Sequence, residues 1–144
     1  FFPLPACVGE GGRRPGEGLP SKPRYSLAMS RDLESLRSKL RLFAEERDWD
    51  KFHSPKNLAA ALSVEAAELL EHFQWLTESE SASLPNEKRV EVSEELADVL
   101  LYLIRLADKL DIDLIHAAEQ KLLKNAEKYP VGKSKGKSAK YTEL

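Results

Sequence analysis

The chain has 144 residues, with 22 basic and 24 acidic side chains and 42% hydrophobic residues, which suffices for one domain with a real core and not for two. Residues 1–30 hold four basic and two acidic side chains and residues 131–144 hold four and one, so the middle keeps 14 basic against 21 acidic. An acidic middle argues against a fold that grips a nucleic-acid backbone, which needs a basic face, and suits a site that gathers divalent cations.

Residues 1–30 are rich in Gly and Pro and without period, and are expected to be a disordered leader, with Met29 as a candidate start. A first helix is expected over about residues 31–47, with Ser30 as N-cap and Leu33, Leu36, Leu40 and Phe43 as its apolar stripe. After the loop RDWDKFHSP, a second begins behind Ser54 as N-cap, with Pro55 at the first helical position, and runs to about Trp75. The polar segment LTESESASLPN reads as a loop. A third, long helix spans about residues 86–110, its stripe Val92, Leu96, Val99, Leu103, Leu106 and Leu110 stepping by four and three as in helix bundles. A fourth runs from about Asp113 to Lys128 and stops at Pro130, leaving a basic tail, residues 131–144, expected to lack structure. No segment alternates as a half-buried strand does, so the fold class is all-α, a four-helix bundle over residues 31–130. The single cysteine, Cys7, allows no disulfide within the chain, and the central run VLLYLI is too short to cross a bilayer. A soluble, cytoplasmic protein with no membrane partner is expected.

The second and third helices each carry a pair of acids three residues apart, Glu65 with Glu68 and Glu95 with Asp98, close enough on one face for both carboxylates to reach one ion. A single pair of this kind is common on solvated faces. Here, however, Glu65 interrupts the stripe Leu58, Leu62, Leu69, Phe73, and Asp98 lies among apolar neighbours. If the two helices pack antiparallel, four acids converge, and they would repel strongly without a multivalent cation between them. Glu71, Glu91 and Glu94 fall on the solvated face.

Carboxylates without cysteine suit Mg²⁺, Mn²⁺ or Ca²⁺. A di-iron bundle would want Glu-x-x-His on two helices, whereas His72 follows Glu68 by four and the third helix has no histidine. Mg²⁺ completes its shell with substrate phosphates, which points to a nucleotide-like ligand. Trp49 and Trp75 flank the second helix, and Tyr102 lies one turn beyond Asp98, so these rings are candidates to stack on a base, or else core filler. Lys121, Lys124, Asn125 and Lys128 share a face of the fourth helix and are candidates for the β and γ phosphates, or else a solvated basic face.

The run AEERDWDKFHSPKNLAAALSVEAAELLEHFQW, followed by EELADVLLYLIRLADKL, NAEKYP and the final KYTEL, resembles the MazG-like all-α nucleoside triphosphate pyrophosphatases, and most closely the members that act on dCTP. The resemblance implies a homo-oligomer, commonly a tetramer built as a dimer of dimers. It implies Mg²⁺-dependent hydrolysis of dCTP and modified dCTP analogues to the monophosphate and pyrophosphate, with Mn²⁺ as a substitute metal. By position, Glu65, Glu68, Glu95 and Asp98 would be the catalytic metal ligands, while Trp49, Asp50, Lys51, Phe52, His53, Trp75 and Tyr102 would shape the base and sugar pocket. From the shared face of the fourth helix, and not from the resemblance, Lys121 and Asn125 are added as candidate substrate contacts. One position departs: dCTP-selective members carry a histidine nine residues before the loop tryptophan, and here that residue is Leu40. Broader specificity, a dUTP-type activity, or a non-catalytic oligomeric helical module are the alternatives.

Overall fold

The computed structural model describes residues 32–143. Among these residues there are six α-helices, two 3-10 turns and no strand. They form two compact units, the first ending at Leu110 and the second starting at Asp111, so the expected single bundle over 31–130 spans both. The leader and Met29 lie outside the described residues.

In the first unit, α1 spans Leu33–Glu45. Its cap is Asp32, whose carboxylate accepts the Ser35 N–H at 2.7 Å; the expected cap, Ser30, lies outside the described residues. After α1 the chain reverses through Asp48 at φ 53, a left-handed conformation that Asp tolerates better than most non-glycine residues. The Trp49 N–H then reaches back to the Ala44 carbonyl at 2.9 Å, and a 3-10 turn follows at Asp50–Phe52.

Helix α2 covers Pro55–Glu71, with Ser54 Oγ accepting the Asn57 N–H at 3.2 Å and Pro55 in the first turn, as the sequence predicts. Replacing Ser54 by Ala should cost about 1 kcal/mol in chemical denaturation; an unchanged midpoint would mean that water caps Asn57 equally well. The helix ends four residues before Trp75. The segment expected as a plain loop holds a helical turn, α3 at Glu78–Ser81, fixed by a capping box in which Thr77 and Glu80 bond each other's backbone N–H.

Helix α4 spans Asn86–Lys109. As α2 advances, its partners on α4 recede: Leu58 and Ala61 pack on Tyr102, Glu65 meets Asp98 and Glu95, and His72 lies 3.7 Å from Glu91. The two helices are therefore antiparallel. Leu62 and Leu106 extend the core cluster of Leu58, Ala61 and Tyr102.

The buried side of α4 matches the expected stripe only in part. Val92 is buried and Leu106 joins the core, but Leu96 is 52% and Leu103 38% exposed, and Tyr102, Ile104, Arg105 and Ala107 are buried instead. The face through Glu95, Asp98, Tyr102 and Arg105 turns inward because α2 supplies Leu58, Ala61 and Glu65 to meet it.

The second unit holds α5, Leu114–Lys128, capped by Asp113 accepting the His116 N–H at 3.0 Å. The tail expected to lack structure contains a helical turn, α6 at Val131–Ser134, and a 3-10 turn at Tyr141–Glu143. The Tyr129 and Tyr141 rings meet edge to face at 6.0 Å, with Lys128 Nζ 5.2 Å from the Tyr141 ring centre. No helix among the described residues is long and apolar enough to cross a membrane.

Candidate active site

Antiparallel packing of α2 on α4 brings one acid of the first pair to both acids of the second. Glu65, Glu95 and Asp98 each offer a carboxylate oxygen, and these oxygens lie within 4.8 Å of one another at half-buried positions. Glu95 Oε2 is buried and has no hydrogen-bond partner, a costly state for a carboxylate oxygen unless a cation meets it. The Glu65 carboxyl is pushed above its ordinary range by burial and by the negative charges of Asp98, Glu68 and Glu95. Three hard oxygen donors, one of them orphaned, fit a hard divalent cation. Glu68, expected as a fourth ligand, is solvent-exposed and outside this set, although its charge still reaches Glu65.

The expected aromatic walls divide. Tyr102 is 4% exposed and packs on Leu58 and Ala61, so its ring is core, not an open wall for a base. Burial, with the charges of Glu65, Asp98 and Glu68, raises its hydroxyl's titration. Trp75 is 87% exposed. Trp49 is half-buried in an aromatic group, its ring 5.7 Å from Phe43 and 6.3 Å from His53, both edge to face. Lys51 and Phe52 are exposed, with Lys51 Nζ 5.2 Å from the Phe52 ring centre. Lys121 is exposed and Asn125 half-buried on α5, in the second unit. Leu40 is buried at 7% exposure and offers α1 no polar group there.

A charged hub that the sequence did not single out lies at the C-terminal end of α4. Arg105 and Asp108 have side chains only 4% and 5% exposed. Arg41 Nε donates to both Asp108 oxygens at 2.9 Å, Arg105 Nη1 donates to one at 3.0 Å, and Arg37 Nε lies 3.9 Å away. Burial alone would raise the Asp108 carboxyl, but the bonds and charges of Arg41, Arg105 and Arg37 outweigh it and hold the group below its ordinary range. Arg105 also donates to His53 Nδ1 at 3.3 Å and to Asp50, and Lys109 Nζ donates to Asp50 at 2.7 Å. A cleft of about 540 Å³ is lined by Arg41, Glu45, Asp48, Asp50, Arg105, Asp108 and Lys109, none of them a candidate metal ligand. The signal for this hub was present in the sequence: Arg105 continues, three residues on, the same inward line that runs through Glu95, Asp98 and Tyr102.

Residues 60–144 match the model of the MazG-like family. The chain belongs to the MazG-like family. The relatives include dCTP pyrophosphatase 1 of Mus musculus, 44% identical over 114 residues, which are 78% of this chain and 67% of that protein. They include dCTP pyrophosphatase 1 of Homo sapiens, 42% identical over 132 residues, covering 90% and 77%. Among solved structures, a pyrophosphatase from Archaeoglobus fulgidus superposes with a TM-score of 0.66 at 43% identity, covering 74% of this chain and 99% of that one. The MazG-like match takes in Glu65 and Glu68 of α2 and Glu95 and Asp98 of α4.

Proposed function

We propose that this protein is a nucleoside triphosphate pyrophosphohydrolase that cleaves dCTP and modified dCTP analogues to the monophosphate and pyrophosphate, with Mg²⁺ as its metal. The observation that carries the reading is the set of converging carboxylates at Glu65, Glu95 and Asp98, with one buried oxygen unpartnered. Relatives more than 40% identical that are named for dCTP pyrophosphatase activity supply the substrate.

In this reading Glu65, Glu95 and Asp98 would hold the metal, and Glu68, one turn along α2, would join them as a further carboxylate ligand. Bound there, Mg²⁺ would offset charge on the phosphate oxygens and help align a water for in-line displacement of pyrophosphate. In this reading a glutamate of the α2 pair, Glu65 or Glu68, accepts the proton of that water. Arg105 lies seven positions after Asp98, about 10 Å along a helix axis, and contacts the loop that carries Trp49. A nucleotide whose phosphates meet the acids would present its base to that loop, with Asp50, Lys51, Phe52 and His53 beside it. Exposed Trp75 and the outward leucines Leu96, Leu100 and Leu103 on α4 support assembly into a homo-oligomer, whose mass light scattering would read.

The deciding experiment is a panel of nucleoside triphosphates with pyrophosphate detection. Turnover of dCTP above dUTP and the ribonucleotides is the expected result, and flat or absent turnover across the panel would sink the assignment. Trp49→Ala should raise KM for dCTP about 5-fold or more with kcat near the parent's, since a base stack contributes about 1–3 kcal/mol; an unchanged KM would remove Trp49 from the pocket.

A further inference from the structure

We propose that Arg105 is a positioning residue for substrate binding: buried in α4, it moors the Trp49–His53 loop so that the Trp49 indole is held ready for the nucleotide base. The proposal rests on the reading that this loop forms the base pocket.

Three observations carry it. First, Arg105 is sunk to 4% side-chain exposure on the inward face of α4, where a charge is retained only if its N–H groups are matched. Its partners come from two places: Asp108 on its own helix, and Asp50 and His53 on the loop. Second, the loop partners bracket the 3-10 turn. Asp50 takes a second cation, Lys109, at 2.7 Å, and His53 presents Nδ1 as the acceptor for the guanidinium at 3.3 Å, which assigns the ring proton to Nε2. Third, what is moored touches the indole directly. The His53 ring lies 6.3 Å from the Trp49 ring, and Trp49 immediately precedes the turn.

The loop also has local ties. The Asn57 amide donates to the Phe52 carbonyl at 2.9 Å, and the His53 N–H donates to the Asp50 carbonyl at 3.2 Å. Those bonds shape the turn without fixing it to α4. The guanidinium fork, with Lys109, does that, and Arg41 holds Asp108 from the other side. Guanidinium geometry suits the task because its planar donors serve an imidazole and two carboxylates together, which an ammonium does less well.

The test combines a spectroscopic readout with kinetics. In a Trp75→Phe background, Trp49 is the one remaining tryptophan, and its emission and acrylamide quenching report the indole's surroundings without substrate. Arg105→Leu and Asp50→Asn should each shift that emission to the red and increase quenching. In the otherwise native chain, each should raise KM for dCTP by roughly 5- to 10-fold with kcat little changed, less than full loss of a base stack brings at its upper end. The double variant should be no worse than the worse single one, because both cut the same tether. Arg105→Lys should fall between parent and Arg105→Leu. Should Arg105→Leu fail to fold, Asp50→Asn carries the test, since the Asp50 side chain is 62% exposed and Arg105 keeps Asp108. Unmoved Trp49 emission in Arg105→Leu and Asp50→Asn overturns the mooring. A raised KM in Trp49→Ala beside an unchanged KM in Arg105→Leu and Asp50→Asn overturns the positioning role alone. An unchanged KM in Trp49→Ala overturns the pocket reading, and the positioning role with it.

Discussion

Asp98→Asn should yield a folded protein that releases pyrophosphate from dCTP on the order of 10³-fold more slowly than the parent, or not measurably at all. Removing even one preorganised group that stabilises developing charge costs about 10²–10³-fold, and loss of Asp98 takes away one of three converging ligands. Binding equilibria make an independent check. Mg²⁺ at about 100 times its dissociation constant stabilises a protein that binds it only when folded by about 2.7 kcal/mol, so the parent should melt higher in Mg²⁺ and the variant should not. Without metal the parent's advantage should disappear. The Asp98 charge is among the groups that disfavour ionised Glu65, so the variant should melt no lower than the parent. Full turnover, or an undiminished rise with Mg²⁺, would remove Asp98 from the metal set.

The second large effect concerns stability. Asp108 is nearly enclosed, with guanidinium donors from two helices. Asp108→Asn leaves buried Arg105 with less counter-charge, and breaking such a pair costs about 3–5 kcal/mol. The melting temperature should fall by on the order of 10 °C or more. The pH dependence follows from the direction of the shift. A carboxyl held below its ordinary range in the folded state contributes stability that is complete above that range, about pH 4 in the unfolded chain, and lost as pH falls through the lowered value. Asp50, held down mainly by its bond to Lys109 against the opposing pull of burial, acts in the same sense. The gap between parent and Asp108→Asn should therefore be widest above about pH 5 and shrink in acid. A gap constant down to about pH 3 would show that the charge of Asp108 is not its source.

What the sequence revealed followed the range of the interaction. The start of α2 was legible because its determinants, Ser54, Pro55 and Asn57, lie within four positions of one another. The turn α3 was equally local, and its signature T-x-x-E was present in Thr77 and Glu80, but the polar composition around it masked the motif. The convergence of Glu65 with Glu95 and Asp98 could be anticipated because two short-range patterns, joined by an antiparallel assumption, sufficed. The inward face of α4 was legible only in part, since the helix carries five leucines and only the placement of α2 decides which of them stay exposed. Asp108 was least legible. In the string RLADKL it reads as one of a solvated pair, and its burial depends on Arg41, 67 positions earlier.

The left-handed residue after α1 has a consequence for the conformational freedom of the region ahead of Trp49. Glycine is the usual occupant of such a position because it carries no Cβ, and it would also leave the unfolded chain many more states. With Asp48 at φ 53, the folded backbone bears a modest strain while the alternatives open to the loop are fewer. Its ion pair with Lys51 joins two exposed side chains and adds little, so the choice of aspartate over glycine acts mainly through entropy. A reversal that has few other shapes to adopt delivers the indole already ordered, and that portion of the ordering cost is not charged against nucleotide binding.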